Sequence, residues 1–327
     1  MNNLQSLHSH TIFSDGLLNH LQVLDEAEKS GISVIAFTDH DVLPDQKIIN
    51  QLRKKNHPVK WILGVELTCG EVEMFHIVGL FIDPKNIALQ NHCQKILKQR
   101  RKRAKDTISH LQNLGFDISF KEASSFAKGP SIVWPHIVSA LLAKQQNHQL
   151  MEKYREKAAQ LGKKNSNLEL KYQAMIDQGS NQYPYRLFLR EDSFFPPHHQ
   201  KSDYPNLDRT VSLIRGAGGL AVIAHYSTIR EKVSLLDIEK LLKQGRIDGL
   251  EVVFGFWAYG TVEEKDIEQD RQAIKKLVKK YNKVAAGGGD FHKREDFQKY
   301  TEAKWYSRDS IGLFEKIIQK YPQFDKI

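Results

Sequence analysis

Histidines and carboxylates recur along this chain in short groups: His8 and His10 with Asp15 soon after, Asp39, His40 and Asp41, then Glu66, His76, His225, and Asp290 with His292. Imidazole nitrogens and carboxylate oxygens together suit zinc, manganese or iron, and a carboxylate such as Glu66 can bridge two ions. Ions held a few ångströms apart can bind a phosphate and generate hydroxide at neutral pH. One histidine at a strand end is more often structural or superficial than a ligand. The series HxH, DH, GVE, AH and DFH at successive strand ends is hard to obtain by chance, and the set points to a polynuclear metal site. His20, His57, His92, His110 and His148 read as surface or helix residues, while His198 and His199 are lesser candidates for reaching the site.

Such residues act together only if the fold gathers them. Seven β-like runs carry them or lie between them: LQSLHSH, ISVIAFTDH, WILGVEL, FHIVGLF, GLAVIAH, DGLEVVF and KVAAGGGD. The second is almost continuously apolar, as expected of a parallel strand buried on both faces. Helical patterns fall between most of them, over residues 19–30, 207–215, 234–244 and 263–281. Alternating strands and helices predict a parallel sheet or a barrel. In a parallel barrel the strand C-termini share one face, where active sites form. His8 and His10, two apart in an extended segment, point to the same side. Gly287, Gly288 and Gly289 read as a tight turn that lets a ligand-bearing loop close.

Residues 142–201 break the pattern. They are polar and helical to about residue 178, then aromatic and irregular from 181, and are read as an inserted cap beside the barrel mouth. The expected organisation is an α/β barrel from 1–83 and 207–327, with a helical insertion over 84–206.

Composition narrows the class. The 327 residues allow a sizeable core, and no apolar run approaches the roughly 18 residues of a membrane span. The opening MNNLQSLHSHTIFSDG lacks the pattern of a signal peptide and enters a motif almost at once. Cys69 and Cys93 form neither a CxxC pair nor a disulfide framework, which fits inert thiols in a reducing cytoplasm. The net charge of +9 favours anionic partners. Its densest run, Lys98 to Lys105, reads first as a solvated helix face.

At these residues the chain resembles the PHP (polymerase and histidinol phosphatase) superfamily. LHSHTIFSDG is similar to its first motif and AFTDHD to its second; GVELTC and FHIVGLFID follow in order, and GGLAVIAH and GGGDFH resemble the closing motifs. The resemblance covers residues 4–83 and 207–292. It implies a distorted seven-stranded (β/α)7 barrel with a trinuclear site of divalent Mn, Fe or Zn. By position, His8, His10, Glu66 and Asp290 would hold the first ion, Asp15, His40 and His292 the second, and Glu66, His76 and His225 the third. His136 matches a histidine near the substrate phosphate, and Asp39 would orient a histidine. Asp41 is expected to be a helix N-cap or turn residue.

The subgroup it most resembles acts on nucleoside 3',5'-bisphosphates and short 5'-phosphorylated oligonucleotides. Two positions depart from that pattern. Trp134 stands where the subgroup usually has an arginine, and Tyr226 and Ser227 stand where a proline and soon an arginine are usual. Arginine forks commonly grip phosphate; here Arg186, Arg190, Lys201 or Arg230 are the candidates to replace them, with Trp134 beside the substrate. The expected activity is hydrolysis of a phosphate monoester, on a nucleotide or another small metabolite, by a metal-bridging hydroxide. A phosphodiesterase or 5'-3' exonuclease, a C–N hydrolase, and a degenerate binding or regulatory module are the alternatives. No membrane or protein partner is expected.

Overall fold

The apolar runs become seven strands hydrogen-bonded in chain order: β1 (Leu4–Ser6), β2 (Ile32–Phe37), β3 (Lys60–Cys69), β4 (Phe75–Leu80), β5 (Leu220–Ile223), β6 (Gly249–Val253) and β7 (Val284–Gly287). The computed structural model describes residues 3–70, 75–197, 203–255 and 264–326; His198, His199 and Lys201 fall outside them. The helices among the described residues are α1 (His20–Lys29), α2 (Gln46–Lys55), α3 (Ile87–Asn113), α4 (Phe120–Phe126), α5 (Trp134–Leu142), α6 (Gln145–Gly162), α7 (Ser166–Asp177), α8 (Leu207–Gly216), α9 (Leu235–Lys243), α10 (Glu264–Lys280), α11 (Arg294–Thr301), α12 (Lys304–Asp309) and α13 (Leu313–Lys320).

The chain divides into two compact units, Met1–Ile96 with Asp203–Ile327, and Leu97–Ser202. In the first, β2 is buried along almost its whole length, because helices cover one face and the barrel interior the other. Each fully buried leucine, isoleucine or phenylalanine there stabilises the fold by about 1.5–3 kcal/mol. Local chemistry fixes the helix starts. Asn19 accepts from the Gln22 backbone while the Gln22 side chain returns to Asn19, a reciprocal cap on α1. Asn206 and Ser234 cap α8 and α9 more simply, each accepting one backbone N–H, from Arg209 and Asp237 respectively.

One strand departs from the expected parallel order. β4 runs antiparallel to both β3 and β5, while the remaining neighbours are parallel. The physical reason is the short link after Cys69, which leaves no room for a crossover helix. The reversal matters for chemistry: it carries the start of β4, and hence His76, to the rim where the other strands end.

The two edges of the sheet meet. Leu7 N–H donates to Gly287 O at 2.9 Å, His10 N–H donates to Phe291 O at 2.8 Å, and Ser9 bridges Phe291 in parallel. The sheet thereby closes into a distorted barrel. Glycines make the seam possible. Gly287 has φ +115°, and a Cβ there would run into the Val253 carbonyl; one on Gly288 would strike Ser6 Oγ.

The second unit builds its own core from Ile108, Leu111, Phe116, Leu141, Met151, Tyr154 and Phe188. The irregular aromatic stretch supplies part of it: a π-helical turn, Tyr185–Leu189, buries Leu187, Phe188 and Leu189. Phe188 meets Phe116 edge-on with centroids 5.0 Å apart.

Candidate metal centre

Glu66 sits in β3 with its side chain wholly buried and is surrounded by imidazoles. Its Oε2 lies 3.2 Å from His8 Nε2, 3.2 Å from His10 Nε2 and 3.0 Å from His40 Nδ1. Its Oε1 lies 3.0 Å from His76 Nδ1 and 3.1 Å from His225 Nε2. Five histidines from four other strand ends thus share one carboxylate. His8 and His10 follow β1, His40 follows β2 and bridges Glu66 directly, His76 opens β4, and His225 follows β5.

Two further carboxylates flank this hub. Asp290 Oδ1 is 2.9 Å from His10 Nε2, 3.4 Å from His8 Nε2 and 3.7 Å from His292 Nδ1. Asp15 reaches His10 and His40 at 3.6 Å each and His292 at 3.4 Å. All nine candidate ligands are therefore brought together on one rim. Two stand on left-handed backbone, Asp290 at φ 49° and His225 at φ 20°. Such strain in residues other than glycine persists where surrounding structure enforces it, commonly at functional sites.

The donor set suits a cation. Asp15 Oδ1, His40 Nδ1, Glu66 Oε2 and Asp290 Oδ1 are buried with no hydrogen-bond partner, a cost that a bound metal would remove. Three overlapping groups offer ligand atoms within 4.8 Å of one another: His10, Asp15, His40 and His292; His8, His10 and Glu66; His40, Glu66 and His76. His10, His40 and Glu66 each belong to two of them, as adjacent ions would require.

Among the protein groups alone, charge is shared between rings and carboxylates. Burial drives His8 down, but Glu251, Glu66 and Asp290 outweigh it and hold the ring well above the ordinary histidine range. Burial likewise opposes protonation of His10, yet the adjacent Asp290 and Glu66 carboxylates push it up to about 10. His76 goes the other way, because burial exceeds the pull of Glu66. Burial raises Glu66 and Asp290, and the surrounding histidines reverse this, keeping both far below the usual carboxylate range. A metal binding here competes with these protons.

Several residues do other work than their sequence context suggests. Asp39 does not contact a candidate ligand histidine. It accepts from Thr11 N at 2.8 Å, Thr11 Oγ1 at 2.7 Å and Ser14 Oγ at 2.6 Å, pinning the loop that carries Asp15. It approaches His10 only through Ser14, whose Oγ is 3.4 Å from His10 Nδ1. Of the two roles expected for Asp41 the turn is the one it fills, since Asp45 caps α2; from that turn Asp41 accepts from Thr68 N at 2.9 Å and Thr68 Oγ1 at 2.7 Å, tying the loop after β2 to β3. His20 is a helix residue, as expected, at the start of α1, and it is buried there. Arg230 is taken up by Asp270 on α10, Nε to Oδ2 at 3.2 Å. Tyr226 turns inward and donates to Val233 O at 2.9 Å.

His136, Trp134 and Arg190 belong to the second unit. His136 lies in the first turn of α5, and its Nδ1 accepts from Val133 N at 3.3 Å. Trp134 has Arg103 5.9 Å from its ring centroid. Arg190 donates from Nε to Asp192 at 2.8 Å.

The residue that sequence reasoning missed is Glu251 on β6. Its Oε1 is 2.7 Å from His8 Nδ1, and its Oε2 accepts the His225 backbone N–H at 2.7 Å. The available signal was a lone carboxylate inside the apolar run GLEVV.

A family model described as PHP domain matches residues 6–292. Among curated relatives, a 5'-3' exoribonuclease of Haemophilus influenzae is 26% identical over 295 residues, covering 88% of this chain and 89% of the relative. A 3',5'-nucleoside bisphosphate phosphatase of Chromobacterium violaceum is 24% identical over 291 residues, covering 88% and 86%. Among solved structures, an amidohydrolase from Chromobacterium violaceum, with bound sulfate and no metal, aligns with a TM-score of 0.63 at 24% identity, over 90% of this chain and 88% of the other. That likeness shows the fold alone. With the family model spanning the rim from the first strand to His292, the chain belongs to the PHP domain family.

Proposed function

We propose that this protein is a metal-dependent phosphatase acting on a phosphate monoester of a nucleotide or another small phosphorylated metabolite. Metal-dependent phosphoester hydrolysis is the family's chemistry; preference for a monoester is the further step. The observation that carries the reading is the buried Glu66 carboxylate, with five imidazoles at 3.0–3.2 Å. Cations bound between these groups would satisfy so dense a set of ligand atoms.

In this reading His8, His10, Glu66 and Asp290 would hold one ion, Asp15, His40 and His292 a second, and Glu66, His76 and His225 a third. Bound divalent ions would polarise the phosphoryl oxygens and activate water. The chain's own residues set the geometry. Asp39 keeps the loop of Asp15 in place through Thr11 and Ser14. His136 protonates the leaving oxygen; because its Nδ1 accepts the Val133 N–H, that proton leaves from Nε2. Trp134 offers a face for a base, while Asp192 and Asp270 already neutralise Arg190 and Arg230 and reduce their hold on phosphate. Two buried free thiols fit a reducing cytoplasm, and no described helix is long and apolar enough to cross a membrane.

One observation favours a second reading, a diesterase on short oligonucleotides. Arg101 and Lys105 lie 5.0 and 5.4 Å from the Phe120 ring centroid, and Arg103 lies over Trp134, a mixture of cations and aromatics that suits single-stranded nucleic acid. The two separate on substrate. With Mn²⁺ added, the monoesterase releases phosphate from a nucleoside 3',5'-bisphosphate and leaves the internucleotide bond of a 5'-phosphorylated dinucleotide intact. Cleavage of the dinucleotide without phosphate release from the bisphosphate would establish the diesterase instead.

A further inference from the structure

We propose that Glu251 is the positioning residue of the metal centre, clamping the ring of His8 with one carboxylate oxygen and the backbone of His225 with the other. The proposal rests on the metal-centre reading above. Six strands provide the candidate ligands, and Glu251 is the contribution of β6, the strand between β5 and β7. It is 2% exposed and flanked by the buried Leu250, Val252 and Val253. A carboxylate in such a place is costly unless its oxygens are satisfied, and here both are.

The two contacts do different things. The His8 ring has Glu251 at Nδ1, 2.7 Å away, while its Nε2 faces Glu66 at 3.2 Å and Asp290 at 3.4 Å. An imidazole can offer a lone pair from Nε2 only if Nδ1 carries the remaining proton. An acceptor fixed at Nδ1 selects that tautomer and sets the plane of the ring. The second oxygen accepts the amide of His225, whose φ of 20° is an unfavourable conformation for a residue with a side chain. That bond keeps His225 Nε2 3.1 Å from Glu66 Oε1. Glu251 thereby couples ligands from β1 and β5, on either side of Glu66.

This arrangement requires two acceptors, because both partners donate. Glutamine has nearly the same shape but one acceptor oxygen, so whichever way it turns, its NH₂ opposes one of the two donors. Aspartate keeps both acceptors but is one methylene shorter.

The test is equilibrium dialysis against Mn²⁺ alone, with far-UV circular dichroism as the control for folding. Glu251→Gln is expected to bind Mn²⁺ about 10–100-fold more weakly than the wild type, with Glu251→Asp between the two. In a His8→Ala background, Glu251→Gln should cost less than in the wild type, because only its hold on His225 is then left to lose. Wild-type affinity in a folded Glu251→Gln variant would overturn the proposal. So would equal losses in both backgrounds, the signature of a merely structural residue. Should Glu251→Gln not fold, Glu251→Asp decides: wild-type affinity there contradicts the clamp. A wild-type protein that binds no Mn²⁺ contradicts the metal centre itself, an outcome distinct from a Glu251 variant that binds as the wild type does.

Discussion

The barrel rim and the helical unit treat their polar side chains in opposite ways. At the rim, candidate residues meet one another across the barrel: Asp290 meets His8, His10 and His292, and Asp15 meets His10, His40 and His292. In the helical unit, the residues expected to face substrate are engaged locally, His136 with Val133 and Arg190 with Asp192. Metal ligands must be preorganised and shielded, so each is enforced by strand ends and by its neighbours. Groups that hold a variable substrate carry no such requirement. The contrast teaches where substitution should hurt most.

The largest effect is expected at the hub. Glu66→Gln removes the charge shared by five imidazoles, and phosphatase activity should fall at least about 10³-fold, roughly 4 kcal/mol of transition-state stabilisation. Metal content, measured on the same sample, should fall with it; loss of activity at full metal occupancy would break the comparison. A smaller loss is expected one layer out. Asp39→Asn retains an acceptor for Thr11 but weakens the pinning of the Asp15 loop, and Mn²⁺ affinity should drop about 10-fold, within the range for residues that support ligands.

In the helical unit, His136→Ala should lower kcat about 10²-fold with metal content unchanged, the scale of a general acid. Arg190→Ala should change KM less than about 3-fold, since Asp192 already occupies the guanidinium. Steady-state kinetics on both variants check this, and a large KM effect at Arg190 would move phosphate recognition into the helical unit.

Protons offer a gentler probe of the rim. With metal chelated, His10 is raised from 6.5 to about 10, so its contribution to stability is fully present below pH 6.5 and is lost as pH rises through about 10. The melting temperature of chelated protein should therefore fall over that interval. Mn²⁺ should reverse the sign, because the ion binds the deprotonated ring more tightly. Melting curves at several pH values decide it.

Much of the rim was readable because metal chemistry restricts residue type, and strand ends restrict spacing. HxH after β1 and DFH after β7 advertise themselves in that way. The reversed β4 was hidden, since FHIVGL has the same apolar pattern in either direction. Glu251 was hidden for another reason. It binds through a ring nitrogen of His8 and a backbone amide of His225, and neither contact leaves a spacing in the sequence. Asp39 was legible as a supporting residue, but its partners Thr11 and Ser14 could be known only from the folded loop. Trp134 and Tyr226 are visible as departures, yet only the structure shows Tyr226 turned inward to Val233.

The central claim is that the rim is a metal centre that hydrolyses phosphate esters. The most direct measurement is phosphate release from a nucleoside 3',5'-bisphosphate by protein stripped with a chelator and then titrated with Mn²⁺, with bound metal counted at each step. The account predicts no turnover by the stripped protein, turnover that rises with bound Mn²⁺, and no restoration in Glu66→Gln. Full turnover by the stripped wild type, or restoration in Glu66→Gln equal to that of the wild type, would contradict it.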